Sequence, residues 1–328
     1  MPEKPTVCTI AIPAFNREVM IRGAIESALQ TQRDDIRVFV IDNCSEDKTV
    51  EVSESYGDPR LKVLRNPRNL GLFGNFNRCL EVAADTPYLC LLCSDDRLRP
   101  GFIERAIEVM EANPECSLLT TRAQFIDEAG NHTGRSAYHL DEGIYGGKDA
   151  IFDYLWFQNH YAYNTFNLPS GNLIRMSVAS QIAPFRTDWR IVGDVELWCR
   201  LMEHGDLAAL DMIGCDVTHH SGQEVYQIYG DPSRVHEQYE MIETYRELLG
   251  RDYGRVKLQG GAVNTALALK FRRLGNRAAA KEHWEIVQSK GYGKLSQAIA
   301  FARLAWMRTL YDRTGKKSLP RGPIRKLV

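Results

Sequence analysis

Short apolar runs alternate with helical stripes through the first 120 or so residues. The runs at 6–12 (TVCTIAI), 37–41 (RVFVI), 61–64 (LKVL), 90–93 (CLLC) and 117–121 (SLLTT) are mostly unbroken by charge. Near-continuous apolar runs of this length are the pattern of strands covered on both faces. Between them, Ile21, Ala24, Ile25, Ala28 and Leu29 recur at helical spacing. So do Phe73, Phe76, Leu80 and Ala83, and then Phe102, Ile103, Ala106, Ile107 and Met110. A further helix is expected to start near Asp47 or Lys48. Strand and helix in strict alternation, joined by short loops, predict an α/β fold with a doubly wound, mostly parallel sheet.

From 122 to 147 the rhythm breaks. A hairpin turning at Asp127-Glu128-Ala129-Gly130-Asn131 is expected there, then a Gly-rich loop, a short helix over 150–157 and a small one near 176–182. The aromatic residues Tyr161, Tyr163 and Phe166 would either line a pocket or fill the core. Val195, Trp198, Leu201 and Met202 mark a helix with Asp194 at its start, where the helix dipole favours an anion. Two strands follow, 207–213 and 215–219, ending in His219-His220-Ser221-Gly222-Gln223. Beyond Gly230 the pattern is helical, with one helix through Val235, Tyr239, Ile242, Tyr245 and Leu248 and a pair over 262–273 and 277–288. These divide the chain into a catalytic unit, 1–228, and a C-terminal helical region, 229–328, packed against it.

Candidate chemistry sits where strands end. The fourth run passes directly into Ser94, Asp95 and Asp96. Open α/β sheets bind ligands beyond the carboxyl ends of their strands, and paired hard oxygens there suit Mg²⁺ or Mn²⁺ bridging to a diphosphate. Asp42, closing the second strand, is placed to accept hydrogen bonds from a ribose or a base. The first loop, Pro13-Ala14-Phe15-Asn16-Arg17, lacks the glycines of a dinucleotide fingerprint, which argues against a Rossmann oxidoreductase. Residues 65–77 carry two glycines and several amides ahead of a helix, either a plain turn or a loop that lets a ligand approach its backbone.

Composition narrows the class. A net charge of -1 over 328 residues gives no global basic field for nucleic acid. The N-terminal stretch does not read as a signal peptide, and no apolar run is long enough for a membrane span. Eight scattered cysteines do not form a disulfide framework, and Cys90 and Cys93 read as small core residues. The expected setting is cytoplasmic. One tail feature qualifies it: Arg303, Arg308, Arg313, Lys316, Lys317, Arg321, Arg325 and Lys326 face only Asp312, a charge balance suited to peripheral contact with an anionic inner-membrane face.

Taken together, VCTIAIPAFNR, VFVIDNCSEDKTV, NPRNLGLFGNFN, YLCLLCSDDRLRP and GDVELWCRL resemble, in order and spacing, glycosyltransferase family 2. These are inverting enzymes of the GT-A fold that use nucleotide-diphospho-sugars, and the resemblance covers roughly 6–222. It implies that Pro13, Asn16, Arg17, Asp42, Arg68, Gly71 and Ser94 bind the nucleotide. Asp95 and Asp96 would hold Mn²⁺ or Mg²⁺, with His220 touching the metal or a phosphate. Asp194 would deprotonate the acceptor hydroxyl. Many relatives carry an acid one or two places before Asp95, where this chain has Cys93 and Ser94. The implied role is transfer of a sugar to a glycan or lipid-linked glycan, in bacterial cell-surface polysaccharide or glycolipid assembly. A sugar nucleotidyltransferase would show a Gly-rich basic loop after its first strand, and a non-catalytic sugar-binding module would need neither Asp194 nor the acidic pair.

Overall fold

The first four expected strands are β1 (Cys8–Ala14), β2 (Ile36–Asp42), β3 (Leu61–Arg65) and β4 (Tyr88–Leu91). They lie in the parallel order β3-β2-β1-β4, with Ala14 level with Asp42 so that the β1 and β2 loops leave the sheet side by side. The computed structural model describes residues 5–135, 140–161, 169–220, 233–289, 298, 302 and 324–327. The helices between these strands are α1 (Ile21–Leu29), α2 (Thr49–Glu54) and α3 (Leu72–Val82), and α4 (Phe102–Ala112) follows β4.

Past β4 the sheet departs from pure parallel winding. A two-residue strand, β5 (Arg97–Leu98), precedes α4, and the long β6 (Cys116–Asp127) turns into β7 (His132–Arg135) and then β8 (Gly143–Tyr145). The expected hairpin is present: Asp127 and Asn131 close it, with Gly130 at φ +83°. After α5 (Gly147–Tyr161), β9 (Asn172–Arg175) enters antiparallel between β4 and β6. The short α6 (Met176–Ala179) and α7 (Gly193–Met202) lead to β10 (Asp206–His219). The two strands expected over 207–219 are thus one, kinked by register shifts around Ile213. Gly214 is at that kink, where a Cβ would come within 2.3 Å of Thr121 Oγ1, so only glycine lets the two backbones approach.

Helices cover both faces. Ile21, Ala24, Ile25 and Ala28 of α1 join Phe102, Ile103, Ala106 and Ile107 of α4 over one face. Phe73 and Phe76 of α3, Ile151 and Leu155 of α5, and Leu197, Trp198 and Leu201 of α7 fill the other. The C-terminal region supplies α8 (Ser233–Thr244), the single turn α9 (Arg246–Leu249), α10 (Tyr253–Arg273) and α11 (Arg277–Ser289). Met241, Ile242, Tyr245, Leu249 and Val256 belong to the same apolar cluster as Trp198, so these helices complete the second face. The expected boundary at residue 228 lies outside the described residues, as do Tyr163, Phe166, Ser221, Gly222, Gln223 and the tail from 303 to 323.

Residues 324–327 return to the sheet. Ile324 N donates to Ile144 O of β8 at 2.7 Å, Ile144 N donates to Arg325 O at 2.8 Å, and Arg325 pairs with Glu115. Arg325 is therefore engaged within the protein. No helix among the described residues is long and apolar enough to cross a membrane.

Candidate active site

The β1 and β2 loops are zipped together by reciprocal bonds. Asn16 takes φ +52°, a left-handed conformation that asparagine tolerates. This lets its Oδ1 accept from Glu46 N while its own amide donates to Ser45 Oγ, both at 2.9 Å. Arg17 N donates to Thr49 Oγ1 at 2.7 Å. Asp42 lies beneath this junction, fully buried, accepting from Ser45 N at 3.1 Å with Arg65 3.4 Å away. What reaches solvent above it is the half-exposed Arg65 side chain. Pro13 is buried at the end of β1, and Asn16, Arg68 and Gly71 are exposed at the rim.

The amides of the third loop have an architectural task. Asn66 Nδ2 donates to Asn43 Oδ1 at 3.1 Å and to Asn75 Oδ1 at 2.9 Å, and Asn75 Nδ2 donates to Ile41 O at 3.0 Å. Asn43 Nδ2 donates to Asn69 Oδ1 at 2.8 Å. Four asparagines thus weld the ends of β2 and β3 to the start of α3 and leave Gly71, at φ +75°, facing open space.

Where β4 ends, the two neighbouring aspartates do different work. Asp96 is buried. Its Oδ2 accepts from Ser170 Oγ at 2.5 Å and its Oδ1 from Thr218 N at 3.1 Å. Burial, and after it the charge of Asp95, pushes the Asp96 carboxyl well above the usual range. Ser170 Oγ also accepts from Cys93 N at 3.0 Å, so one hydroxyl fixes both ends of the turn. Asp95 instead faces the cleft, its Oδ2 2.9 Å from His220 Nε2. The other Asp95 oxygen has no protein hydrogen bond among the described residues.

β5 explains how positions 95 and 220 meet. Arg97 and Leu98 pair with Asp216 and Cys215 of β10, and Arg99 clamps Asp216 at 2.8 Å. Side chains alternate along β10, so His219 stacks on Phe125 while His220, just past the strand, turns towards Asp95.

Three potential ligand atoms gather on this side. The Cys93 sulfur and one oxygen each from Asp95 and Asp96 lie within 4.8 Å of one another. A cation that keeps one or two carboxylates and draws its other ligands from phosphate and water fits such a set. A cavity of about 610 Å³ opens beside Asp95 and Thr218, between α1 and β5.

Asp194 stands in the first turn of α7. A Cβ on Gly193 would sit 2.6 Å from the Phe73 ring, so glycine lets the start of α7 close onto α3. Phe73 stacks on Phe185, whose ring meets the fully buried Trp198. Trp198 is therefore core and offers no platform to a sugar. Burial drives the Asp194 carboxyl up to about 6, offset in part by the Val195 amide and reinforced by the charge of Glu237. The Cys93 thiol, raised first by burial, is also raised by the charges of Asp96, Asp95 and Asp194. Residues 95 and 194, about a hundred positions apart in the chain, thus lie within electrostatic reach of one side chain. Ser170, Thr218 and Glu237 carried no signal in the sequence pattern, because each acts through a partner distant in the chain.

This arrangement can be set beside known proteins. The chain is 32% identical over 132 residues to an uncharacterised glycosyltransferase of Methanocaldococcus jannaschii, covering 39% of this chain and 45% of that protein. It is 36% identical over 104 residues to the succinoglycan biosynthesis protein ExoO of Rhizobium meliloti, covering 32% of this chain and 30% of the relative. The chain thus spans less than half the length of either relative. Among solved structures, S. aureus TarS 1-349 in complex with UDP-GlcNAc superposes with a TM-score of 0.62 at 16% identity, covering 98% of this chain and 99% of that one. The mannosyltransferase PcManGT from Pyrobaculum calidifontis, in complex with GDP-Man and Mn²⁺, gives 0.55 at 12% identity over 96% and 89%. These similarities establish a shared fold. The family model for glycosyl transferase family 2 matches residues 9–182, more than half of the sequence, and the chain belongs to that family.

Proposed function

We propose that this protein transfers a sugar from a nucleotide-diphospho-sugar to an acceptor hydroxyl with inversion at the anomeric carbon. The observation that carries the reading is that Asp95, 2.9 Å from His220, and Asp194 both lie within electrostatic reach of the Cys93 thiol. Pro13, Asn16, Arg17, Arg68, Gly71 and Ser94 bind the nucleotide along the β1–β4 loops, and Asp42 acts from beneath by holding the Ser45 amide and Arg65. Asp95, with Asp96 and His220, would hold Mn²⁺ or Mg²⁺, which when bound would supply Lewis acidity for charge developing on a leaving nucleoside diphosphate. Asp96 has both oxygens occupied by Ser170 and Thr218, so its main contribution is to hold the turn while Asp95 offers an oxygen.

Asp194 takes the proton from the acceptor hydroxyl as the oxygen attacks. Its carboxyl at about 6 lies close enough to neutrality to be both ionised and basic. One displacement needs one base and no protein nucleophile. TarS was solved with UDP-GlcNAc and UDP, and PcManGT with GDP-Man, so these nucleotides are the first donors to try. A glycan or lipid-linked glycan of cell-surface polysaccharide assembly is the proposed acceptor, in keeping with the name of the ExoO relative.

The test is a panel of UDP-, dTDP- and GDP-sugars with Mn²⁺, scored by thermal stabilisation and nucleotide release, because a ligand specific to the folded state raises its melting temperature. Asp95→Ala is expected to abolish the cation-dependent stabilisation and turnover. Retained turnover in both Asp95→Ala and Asp194→Asn would leave a binding module as the better account.

A further inference from the structure

The base proposed above does not sit on the family-matched segment, and neither does what holds it. Asp194 opens α7, and the turn before α7 has three consecutive backbone amides aimed at one side chain. Arg190 N donates to Glu237 Oε1 at 2.6 Å, and Ile191 N and Val192 N donate to Glu237 Oε2 at 3.0 and 2.9 Å. Glu237 belongs to α8, in the C-terminal region, and is buried with 5% of its surface exposed. Three N–H groups gathered on one carboxylate form an anion nest, and hydrogen bonds to an ionised acceptor in a dry site are among the strong ones. A neighbour on the same helix grips the same loop from outside. Glu240 pairs with Arg186 at 2.5 Å, and Arg186 also pairs with Asp188 and lies 4.6 Å over the Trp189 ring. That outer pair is exposed, and exposed pairs contribute little.

We propose that Glu237 is the positioning residue for the base Asp194: its buried carboxylate collects the amides of residues 190–192 and so fixes the turn from which Asp194 enters the cleft. The inference rests on the assignment of Asp194 as base, and it gives the C-terminal helices a part in the reaction. Glu237 also acts on Asp194 through charge. Among the described residues, Asp194 interacts electrostatically with Glu237 of α8, Tyr154 of α5 and Cys93 of the β4 loop, and it accepts from the Val195 amide on its own helix. Of these, Glu237 is the one whose negative charge raises the Asp194 carboxyl.

Glu237→Gln keeps the shape and removes the charge, and Glu240→Gln on the same helix serves as the control. Both full-length variants are compared with wild type by melting temperature, by hydrogen–deuterium exchange over 190–192, and by kinetics with Mn²⁺ and whichever UDP-, dTDP- or GDP-sugar most raises the melting temperature. In Glu237→Gln the amides of 190–192 are expected to exchange about tenfold faster and kcat to fall about tenfold, with donor KM within about twofold. The acid limb of kcat moves to lower pH, since a carboxylate freed of a nearby negative charge ionises more readily. Glu240→Gln leaves all of these unchanged.

A folded Glu237→Gln with unaltered exchange, or with unaltered kcat and acid limb, overturns the proposal. A rise in donor KM alone also overturns it, since it would put Glu237 on the donor side. Failure of the base assignment is read on a different protein. Asp194→Asn that keeps turnover removes the base Glu237 is said to position. Inactive Asp194→Asn beside a neutral Glu237→Gln removes the positioning claim alone.

Discussion

The two walls of the cleft are built on different principles. The wall of β1–β4 comes from consecutive strand–loop–helix units whose loops lie side by side because the strands are parallel neighbours. Its bonds, such as Asn16 with Ser45 and Glu46 or Asn43 with Asn66 and Asn69, span a few tens of residues and repeat from one unit to the next. The other wall is assembled from Ser170, α7, the end of β10 and a helix beyond residue 232, each tied to partners 45 to 125 positions away. One wall is a folding pattern with a site at its edge. The other exists only once the whole chain is in place.

That contrast can be broken at points of decreasing effect. Asp194→Asn strikes the long-range wall at its chemistry, and turnover should fall roughly 10²–10⁴-fold, the usual share of a general base, with donor affinity from calorimetry unchanged. Wild-type kcat should rise with pH through about 6 and then level off, because Asp194 works ionised. A profile flat through that window would separate the carboxylate from the rate.

Ser170→Ala removes the hydroxyl that serves Cys93 N and Asp96 together. Leaving a buried carboxyl short of a partner costs about 1–3 kcal/mol, measurable by denaturant unfolding, and the turn carrying Asp95 should loosen with it. Asn66→Ala is the matching cut on the local wall, where Asn43 and Asn75 lose a shared donor. A loss of about 1–2 kcal/mol is expected there, with cation-dependent stabilisation intact, because the weld does not touch Asp95. If Asn66→Ala abolishes cation response as fully as Ser170→Ala, the two walls are not independent.

The smallest effect has the opposite sign. Asp194 is an acid whose folded-state carboxyl is raised, so its contribution to stability is present in full below the ordinary carboxylate range and is lost as pH rises through about 6. Asparagine escapes that loss. Asp194→Asn should therefore be more stable than wild type above that pH, by on the order of 1 kcal/mol, with the gap closing towards pH 4. A variant both dead and steadier would mark a group strained for function.

Legibility follows the same division. Strand runs, helical stripes and strand-end acids are local, so β1–β4, α1, α3, α4, and the placing of Asp95 at a strand end and Asp194 at a helix start could be read directly. The sequence pattern did not show β9 entering antiparallel, since a four-residue apolar run carries no direction. Nor did it show β5, whose two residues look like the rest of a loop yet bring Asp95 to His220. The amides of 65–77 suggest an open approach for ligand in the sequence, and in the fold they are a weld. Asp95 and Asp96 are equivalent as sequence, and only the fold gives one of them to Ser170 and Thr218. Glu237 is one acid among many on a charged helix, and only the fold turns three amides towards it.

Anomalous diffraction from crystals grown with Mn²⁺ and UDP tests the central claim most directly. The account predicts one strong manganese peak within coordination distance of the Asp95 carboxylate and close to His220, with the diphosphate in the cleft that Asp194 faces from the other wall. A peak elsewhere, or phosphates bound on the side of the sheet away from α7, would contradict it.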